Sequence, residues 1–255
     1  MTGNEYLLQL INRKIASKDT DSIIIKNIQP LITTIQSWAG DCLINIYFSG
    51  SRAKGTAVKG CSDIDLLISL KSSTNNTLLE IYESLYDYLY KRNYTIRKQN
   101  VSLGVNYNGY SIDLVPAKKQ EGNTNDHLLY SRKRKSWLKT NIKKHIDFVV
   151  DSNRINEIKI IKIWAQVHNL DFPSIYLEHT VINSLKYKYS GNDYLAQNVW
   201  TVLQYISEHF INSKVVDISN TNNIISNDLT NNEKLLIVSQ AQKSLNQQYW
   251  SNIVW

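Results

Sequence analysis

The sequence predicts an α+β protein, in which a mixed sheet with helices is followed by a helical second part. Two strand-like apolar runs, Leu43 to Phe48 and Ile64 to Leu70, lie in the first part of the chain. Asn108-Gly109 joins two further extended runs, and this dipeptide is a strong signal for a β-hairpin. Beyond residue 141, apolar residues recur at helical spacing and few residues break the pattern.

The first part of the chain is predicted from its apolar spacing. Residues 4–38 read as helical, and Pro30 lies in the opening turn of the second helix or kinks it. The strand-like runs follow this helical region. The remaining elements are a helix over residues 76–91, hairpin strands over 101–107 and 110–115, and a loop over 117–127.

The second part of the chain is predicted to consist of helices. A last helix begins after Thr230, because Thr230 and Glu233 have the spacing of a capping box. We therefore expect two domains, one over residues 1–135 and one over residues 136–255. The other helices are predicted over residues 141–153, 154–169, 175–189 and 193–211.

The composition excludes several classes of protein. Hydrophobic residues make up 42% of the 255 residues and only 9 Gly and 3 Pro are present, so the chain is neither disordered as a whole nor collagen-like. Mean hydropathy is −0.33, and no apolar run reaches the roughly 18 residues of a membrane span. Cys42 and Cys61 make no disulfide framework. The N-terminus does not resemble a signal peptide, so we expect a cytoplasmic protein without membrane contact.

The net charge of +7 is concentrated in one basic run. Residues 132–144 hold seven of the 29 basic residues and no acidic one, and the other 22 equal the acidic residues in number. A solvated helix face is one interpretation of such a run. A surface that binds an oligonucleotide backbone is the other, with an aromatic side chain for base stacking. The candidate residues are Arg132, Lys133, Arg134, Lys135, Trp137 and Lys139.

The segment from Phe48 to Leu70 carries the clearest chemical pattern. Asp63 and Asp65 flank Ile64 at the start of a strand, so alternation places both carboxylates on one face. Neighbouring carboxylates repel each other unless a cation lies between them, and Mg²⁺ bound by carboxylates and substrate phosphates fits this need. Gly50 permits a close backbone approach, and Ser51 offers a hydroxyl and an N–H to anionic oxygens.

Asp113 offers a third carboxylate on a later predicted strand. If this strand lies beside the strand that carries Asp63 and Asp65, the three side chains converge. Such a set is typical of a two-metal site for in-line displacement at phosphorus. We therefore predict two Mg²⁺ ions, with Mn²⁺ as a substitute, bound by these three residues.

Gly50-Ser51, Asp63-x-Asp65 and Asp113 together resemble the motif of the DNA polymerase β-type nucleotidyltransferases. Within that superfamily, the chain is similar to the branch of bacterial cGAS-like (CD-NTase) enzymes, oligoadenylate synthases and archaeal-type CCA-adding enzymes. The resemblance implies a polymerase-β-like core and a helical domain, with the active site in the cleft between them. It also implies nucleotide-binding roles for Gly50 and Ser51.

The resemblance extends to the second part of the chain. Lys162 is similar to a helix lysine of the family that contacts nucleotide phosphates, although a solvated helix lysine is the alternative. Ser174 and Tyr176 resemble the following segment, which supplies a hydroxyl to the triphosphate. An ordinary helix N-cap is the alternative for Ser174.

The resemblance implies a template-independent, metal-dependent nucleotidyltransferase. It would make a short oligonucleotide from NTP or dNTP and release pyrophosphate, in a setting such as antiphage defence signalling. The alternatives are transfer to an existing acceptor, such as a tRNA 3′ end or a protein hydroxyl, and a catalytically idle nucleotide-binding module. The expected partners are the NTP or dNTP, the oligonucleotide product or acceptor, and an effector protein.

Overall fold

The computed structural model describes residues 1–14, 21–60 and 63–255. The chain divides into two compact units. We call Ser17–Ala53 with Asp63–His145 the sheet unit, and Met1–Ala16, Lys54–Ser62 and Ile146–Trp255 the helical unit. Both units take segments from the first half of the chain, so this division differs from the expected boundary at residue 135.

The sheet unit is built on a seven-stranded mixed sheet within the described residues. The strands are β1 (Leu43–Phe48), β2 (Ile64–Leu70), β3 (Ile96–Lys98), β4 (Leu103–Tyr107), β5 (Tyr110–Lys119), β6 (His127–Ser131) and β7 (Ser136–Thr140). The path of the sheet runs β1-β2-β5-β4-β3, while β6 pairs with β5 and β7 pairs with β6. β2 and β5 are parallel and the other neighbours are antiparallel.

Helices α2 (Asp21–Ala39) and α4 (Leu78–Tyr90) pack against this sheet. Pro30 lies inside α2, so its predicted place in an opening turn is wrong. A capping box of Thr77 and Glu80 begins α4. Because parallel strands need a crossover connection, the chain passes through α4 between β2 and β5.

The predicted hairpin is present between β4 and β5. Tyr107 pairs with Tyr110, which leaves Asn108 and Gly109 as a two-residue turn. Their φ angles are +48° and +79°, as a type I′ turn requires. β5 continues to Lys119, so the expected loop at residues 117–127 is shorter than predicted.

The helical unit has its own apolar core. The first helix, α1 (Gly3–Lys14), belongs to it because Leu7, Leu10 and Ile11 pack in the same core as Trp164. The predicted capping box at Thr230 is confirmed at the start of the last helix. The elements are α1 (Gly3–Lys14), α6 (Ile155–Val167), α7 (Ser174–Ser184), α8 (Leu195–His209), β8 (Val216–Asp217), β9 (Asn220–Ile224) and α9 (Asn231–Leu245), and α5 (Ile142–Val150) contains the division between the units.

Two expectations about the environment of the protein can be compared with this fold. Among the described residues, no helix is both long and apolar enough to cross a membrane. Cys42 is a free thiol. Cys61 lies outside the described residues.

Candidate active site

Two of the three predicted carboxylates lie on neighbouring strands. β2 and β5 run parallel, and Asp65 pairs in register with Asp113. Side chains at registered positions of such a pair project from the same face of the sheet. Asp63 directly precedes β2, and alternation along an extended chain gives it the same face as Asp65. The parallel pairing thus joins two parts of the motif that lie far apart in the sequence.

Gly50 lies directly against the carboxylate of Asp65. It begins the short helix α3 (Gly50–Ala53) with a φ of +59°. A Cβ atom at this position would come within 1.8 Å of Asp65 Oδ2. The backbone N–H of Ser49 also donates to the carbonyl oxygen of Asp65, at 2.8 Å. Only glycine therefore fits here without displacing the carboxylate.

Polar neighbours hold Asp113 in place. Gln99 Nε2 donates to Oδ1 at 3.1 Å, and the Ser102 hydroxyl donates to Oδ2 at 3.4 Å. Burial raises the pKa of Asp113 above its usual range, and the negative charge of Asp63 raises it further. The hydrogen bonds from Gln99 and Ser102 oppose this shift. Sequence reasoning missed both residues, because nothing in their spacing marks them.

The carboxylates suit a metal ion only in part. In the stretches that the structure covers, no group of three His, Cys, Asp or Glu side chains forms a ready-made metal site. Asp63 nevertheless lies near enough to raise the pKa of Asp113, so an added cation would relieve a real repulsion. Mg²⁺ is commonly bound by one or two carboxylates together with substrate phosphates. The donor set therefore fits a metal that binds with a nucleotide.

Lys162 is buried in the helical unit, with 6% of its surface exposed. The alternative of a solvated helix lysine is therefore wrong. Its Nζ donates to Thr56 Oγ1 at 3.1 Å and to Glu178 Oε1 at 3.2 Å. Lys54 reaches the other oxygen of Glu178, at 2.7 Å. Two ammonium groups thus share one carboxylate, and sequence reasoning missed both Lys54 and Glu178.

The other predicted nucleotide ligands differ in burial. Ser51 is buried in α3, and Ser174 is the exposed first residue of α7. Pro173 occupies the cap position of α7, so the N-cap alternative for Ser174 is wrong. Tyr176 has no exposed surface and stacks on Phe210 with ring centroids 4.8 Å apart. The predicted nucleotide contact of Tyr176 conflicts with this burial in the apolar core.

Most of the basic run forms a β-hairpin and not a helix face. The turn between β6 and β7 contains Arg132 to Lys135, all exposed, and Trp137 on β7 is 59% exposed. Arg132 donates to the carbonyl oxygen of Lys98 at 3.1 Å. Lys139 pairs with Asp126 at 2.7 Å. Local partners thus engage two of the predicted oligonucleotide contacts.

The mixed sheet and the carboxylates beside Gly50 define the class of DNA polymerase β-type nucleotidyltransferases. Residues 1–153 match the family described as the Second Messenger Oligonucleotide or Dinucleotide Synthetase domain, and the chain belongs to this family. The match confirms the predicted resemblance to the cGAS-like branch of the nucleotidyltransferases. Enzymes of this class generally use divalent metal ions.

Individual relatives agree with this assignment. The chain is 25% identical over 182 residues to a cyclic AMP-AMP-AMP synthase of Escherichia coli MS 115-1, a match that covers 66% of this chain and 56% of that enzyme. The fold is similar to E. coli CdnC solved with ATP (TM-score 0.76, 19% identity, covering 95% of this chain and 90% of that one). It is also similar to CdnG of Bradyrhizobium diazoefficiens solved with GTP (TM-score 0.74, 9% identity, 96% and 91% covered). These likenesses confirm the α+β fold.

Proposed function

We propose that this chain joins nucleoside triphosphates into a short oligonucleotide that serves as a second messenger, with release of pyrophosphate. The observation that carries the proposal is the register of Asp65 with Asp113, together with the contact of Gly50 with Asp65. This arrangement supports a role of the carboxylates in binding metal ions together with phosphate oxygens. Family membership supports the same reaction.

The proposed reaction is one displacement at phosphorus, repeated for each linkage. A ribose hydroxyl of one nucleotide attacks the α-phosphorus of a second, a new P–O bond forms, and the bond to the β-phosphate oxygen breaks. Asp113 is suited to accept the hydroxyl proton, because its carboxylate lies on the same face of the sheet as that of Asp65. A bound Mg²⁺ would neutralise phosphate charge and make the attacking hydroxyl more acidic.

The proposed binding roles follow the predicted motif. Asp63, Asp65 and Asp113 would hold two Mg²⁺ or Mn²⁺ ions, while Gly50-Ser51 at the start of α3 would contact the triphosphate. Lys162 would act on the phosphate oxygens as a point charge, with Ser174 as a further hydroxyl donor. It stays a prediction that residues 1–135 carry the catalytic groups and that residues 136–255 bind the nucleotide.

The product and the partners are also part of the proposal. The similarity to a cyclic AMP-AMP-AMP synthase makes ATP the first nucleotide to test and a cyclic product the first to seek. E. coli CdnC was solved in a complex with HORMA-deltaN, which supports a search for an effector or regulatory protein here. A role in antiphage defence signalling would follow from a cyclic product that activates such an effector.

The first test incubates the chain with each labelled NTP and Mg²⁺ or Mn²⁺, without added acceptor. We expect a product that resists phosphatase if it is cyclic and loses its terminal phosphates if it is linear. Asp63→Ala with Asp65→Ala should lower turnover by at least about 10³-fold, or roughly 4 kcal/mol in the barrier, because the metal ligands are lost.

A matched control removes two exposed carboxylates of the same unit. Asp41→Ala with Asp87→Ala changes the net charge equally and should keep normal turnover, since both side chains are exposed. Labelling that appears only with a tRNA or protein acceptor would favour the acceptor-modifying alternative. Nucleotide binding without turnover would favour the idle binding module.

A further inference from the structure

A buried ion cluster joins two separate segments of the helical unit. Glu178 lies on α7 with 1% of its surface exposed. Its Oε2 accepts a hydrogen bond from Lys54 at 2.7 Å, and its Oε1 accepts one from Lys162 at 3.2 Å. The Thr56 hydroxyl accepts a hydrogen bond from Lys162 Nζ at 3.1 Å and donates one to Glu178 Oε1 at 3.4 Å. One carboxylate thus holds two ammonium groups next to each other.

The cluster holds both lysines in an arrangement that they would not adopt alone. Two ammonium groups repel each other, and both lysines are more than nine-tenths buried. Despite its own burial, Glu178 has a lowered pKa, because the charges of Lys54 and Lys162 favour its ionised form. The carboxylate is therefore ionised at neutral pH, and its hydrogen bonds hold both ammonium groups.

One lysine of the cluster is itself a proposed phosphate contact, and the other follows a second proposed contact along the sequence. Lys54 follows Ser51 by three residues, and Lys162 is itself the proposed phosphate ligand. We infer that Glu178 is a positioning residue for nucleotide binding, whose carboxylate sets the position of the Lys162 ammonium group and of Lys54 beside it. This inference rests on the proposed function, because it assigns Lys162 to the triphosphate of a nucleotide.

A role in charge neutralisation alone predicts the opposite outcome. If Glu178 only reduced the positive charge near the phosphates, its removal would strengthen the binding of a triphosphate. If Glu178 positions Lys162, its removal leaves two mutually repelling ammonium groups that move apart, and binding weakens. The sign of the change in nucleotide affinity therefore separates the two roles.

The test uses Glu178→Gln and Glu178→Asp in the full chain. Glutamine keeps the size and loses the charge, whereas aspartate keeps the charge but is too short to reach both lysines as Glu178 does. We expect both variants to raise the KM for ATP by about tenfold, with kcat within about threefold. Calorimetry with a non-reactive ATP analogue and Mg²⁺ should show the same loss of affinity without any turnover.

Glu157→Gln is the matched control, because Glu157 is a second buried carboxylate of the same unit, paired with Arg154 at 3.2 Å. We expect the nucleotide affinity of Glu157→Gln to stay within about twofold of the wild type, even where its thermal stability falls.

Unchanged or tighter binding in a folded Glu178→Gln would overturn the inference, as would an equal loss of affinity in Glu157→Gln. If Glu178→Gln does not fold, Glu178→Asp decides alone, and wild-type affinity in that variant overturns the inference. A wild-type chain that binds the analogue but forms no product would refute the proposed function and leave this comparison intact.

Discussion

At the scale of single residues, the surroundings of Asp113 lower the stability of the metal-free protein at neutral pH. Asp113 is partly buried near Asp63, and both effects raise its pKa. A group whose pKa is higher in the folded chain contributes stability that is full below its unfolded pKa and is lost as the pH rises through its folded pKa. At neutral pH, the ionised Asp113 therefore destabilises the apo protein.

We predict that Asp113→Asn raises the melting temperature of the metal-free protein near neutral pH. The gain should shrink as the pH falls to about 3, which is below the ordinary Asp pKa of about 3.9, because Asp113 is then largely protonated in both states. The same variant should lose at least about 10³-fold in turnover, because a proposed metal ligand is gone. Differential scanning fluorimetry across pH measures the first effect. Asp87→Asn, at an exposed carboxylate, is the control, and an equal gain there would contradict this account.

At the scale of elements, the same short signal begins one helix in each unit. Thr77 caps α4 with Glu80, and Thr230 caps α9 with Glu233. α4 brings Ile81 and Leu85 into the core of the sheet unit, and α9 brings Ile237 into the core of the helical unit. Each cap thus fixes where a core-forming helix starts.

Thr77→Ala and Thr230→Ala should each lower the free energy of unfolding by about 1 kcal/mol, because each leaves an N–H of the first turn without its acceptor. Urea denaturation measures the loss, and serine at either position should restore most of it. Thr201→Ala is the control, since the Thr201 hydroxyl bonds to Gln197 within the middle of α8. A comparable loss in Thr201→Ala would argue against the capping explanation.

At the scale of the whole molecule, the net positive charge is concentrated near the hairpin of β6 and β7, which holds five of the seven basic residues of the run over residues 132–144. Lys133 and Lys135 lie exposed in its turn, and Trp137 follows on β7. We keep the proposal that this hairpin binds the backbone of an oligonucleotide product or acceptor. The overall charge of the protein and the location of these cations are two separable causes of such binding.

Lys133→Glu with Lys135→Glu should weaken the binding of a labelled single-stranded oligonucleotide and flatten its salt dependence. In the wild type, contact with three to five phosphates predicts a slope of log affinity against log salt of roughly −2 to −4. Lys26→Glu with Lys243→Glu makes the same change in net charge at exposed positions outside the hairpin. Equal weakening by both pairs, measured by fluorescence anisotropy, would show that only the total charge matters.

Local patterns in the sequence were sufficient for several features of this protein. The two motif strands, the Asn108-Gly109 turn and the Thr230 cap depend on residues within a few positions of each other, and all are present. Alternation alone predicted that Asp63 and Asp65 share a face. The sequence analysis did not predict β3, β6 and β7, because these strands are short. In β6 and β7, the basic residues of the turn also interrupt the alternation of apolar and polar side chains.

Only the tertiary structure decided which distant residues meet. Nothing in the spacing shows that Asp113 pairs in register with Asp65, or that Glu178 accepts hydrogen bonds from both Lys54 and Lys162. Tyr176 is a further example. The resemblance to the family predicted that it binds the nucleotide, whereas the packing of the chain buries it in the apolar core. The physical reason is that strand order, burial and shared carboxylates result from the packing of the whole chain, whereas turns, caps and alternation are set by neighbours in the sequence.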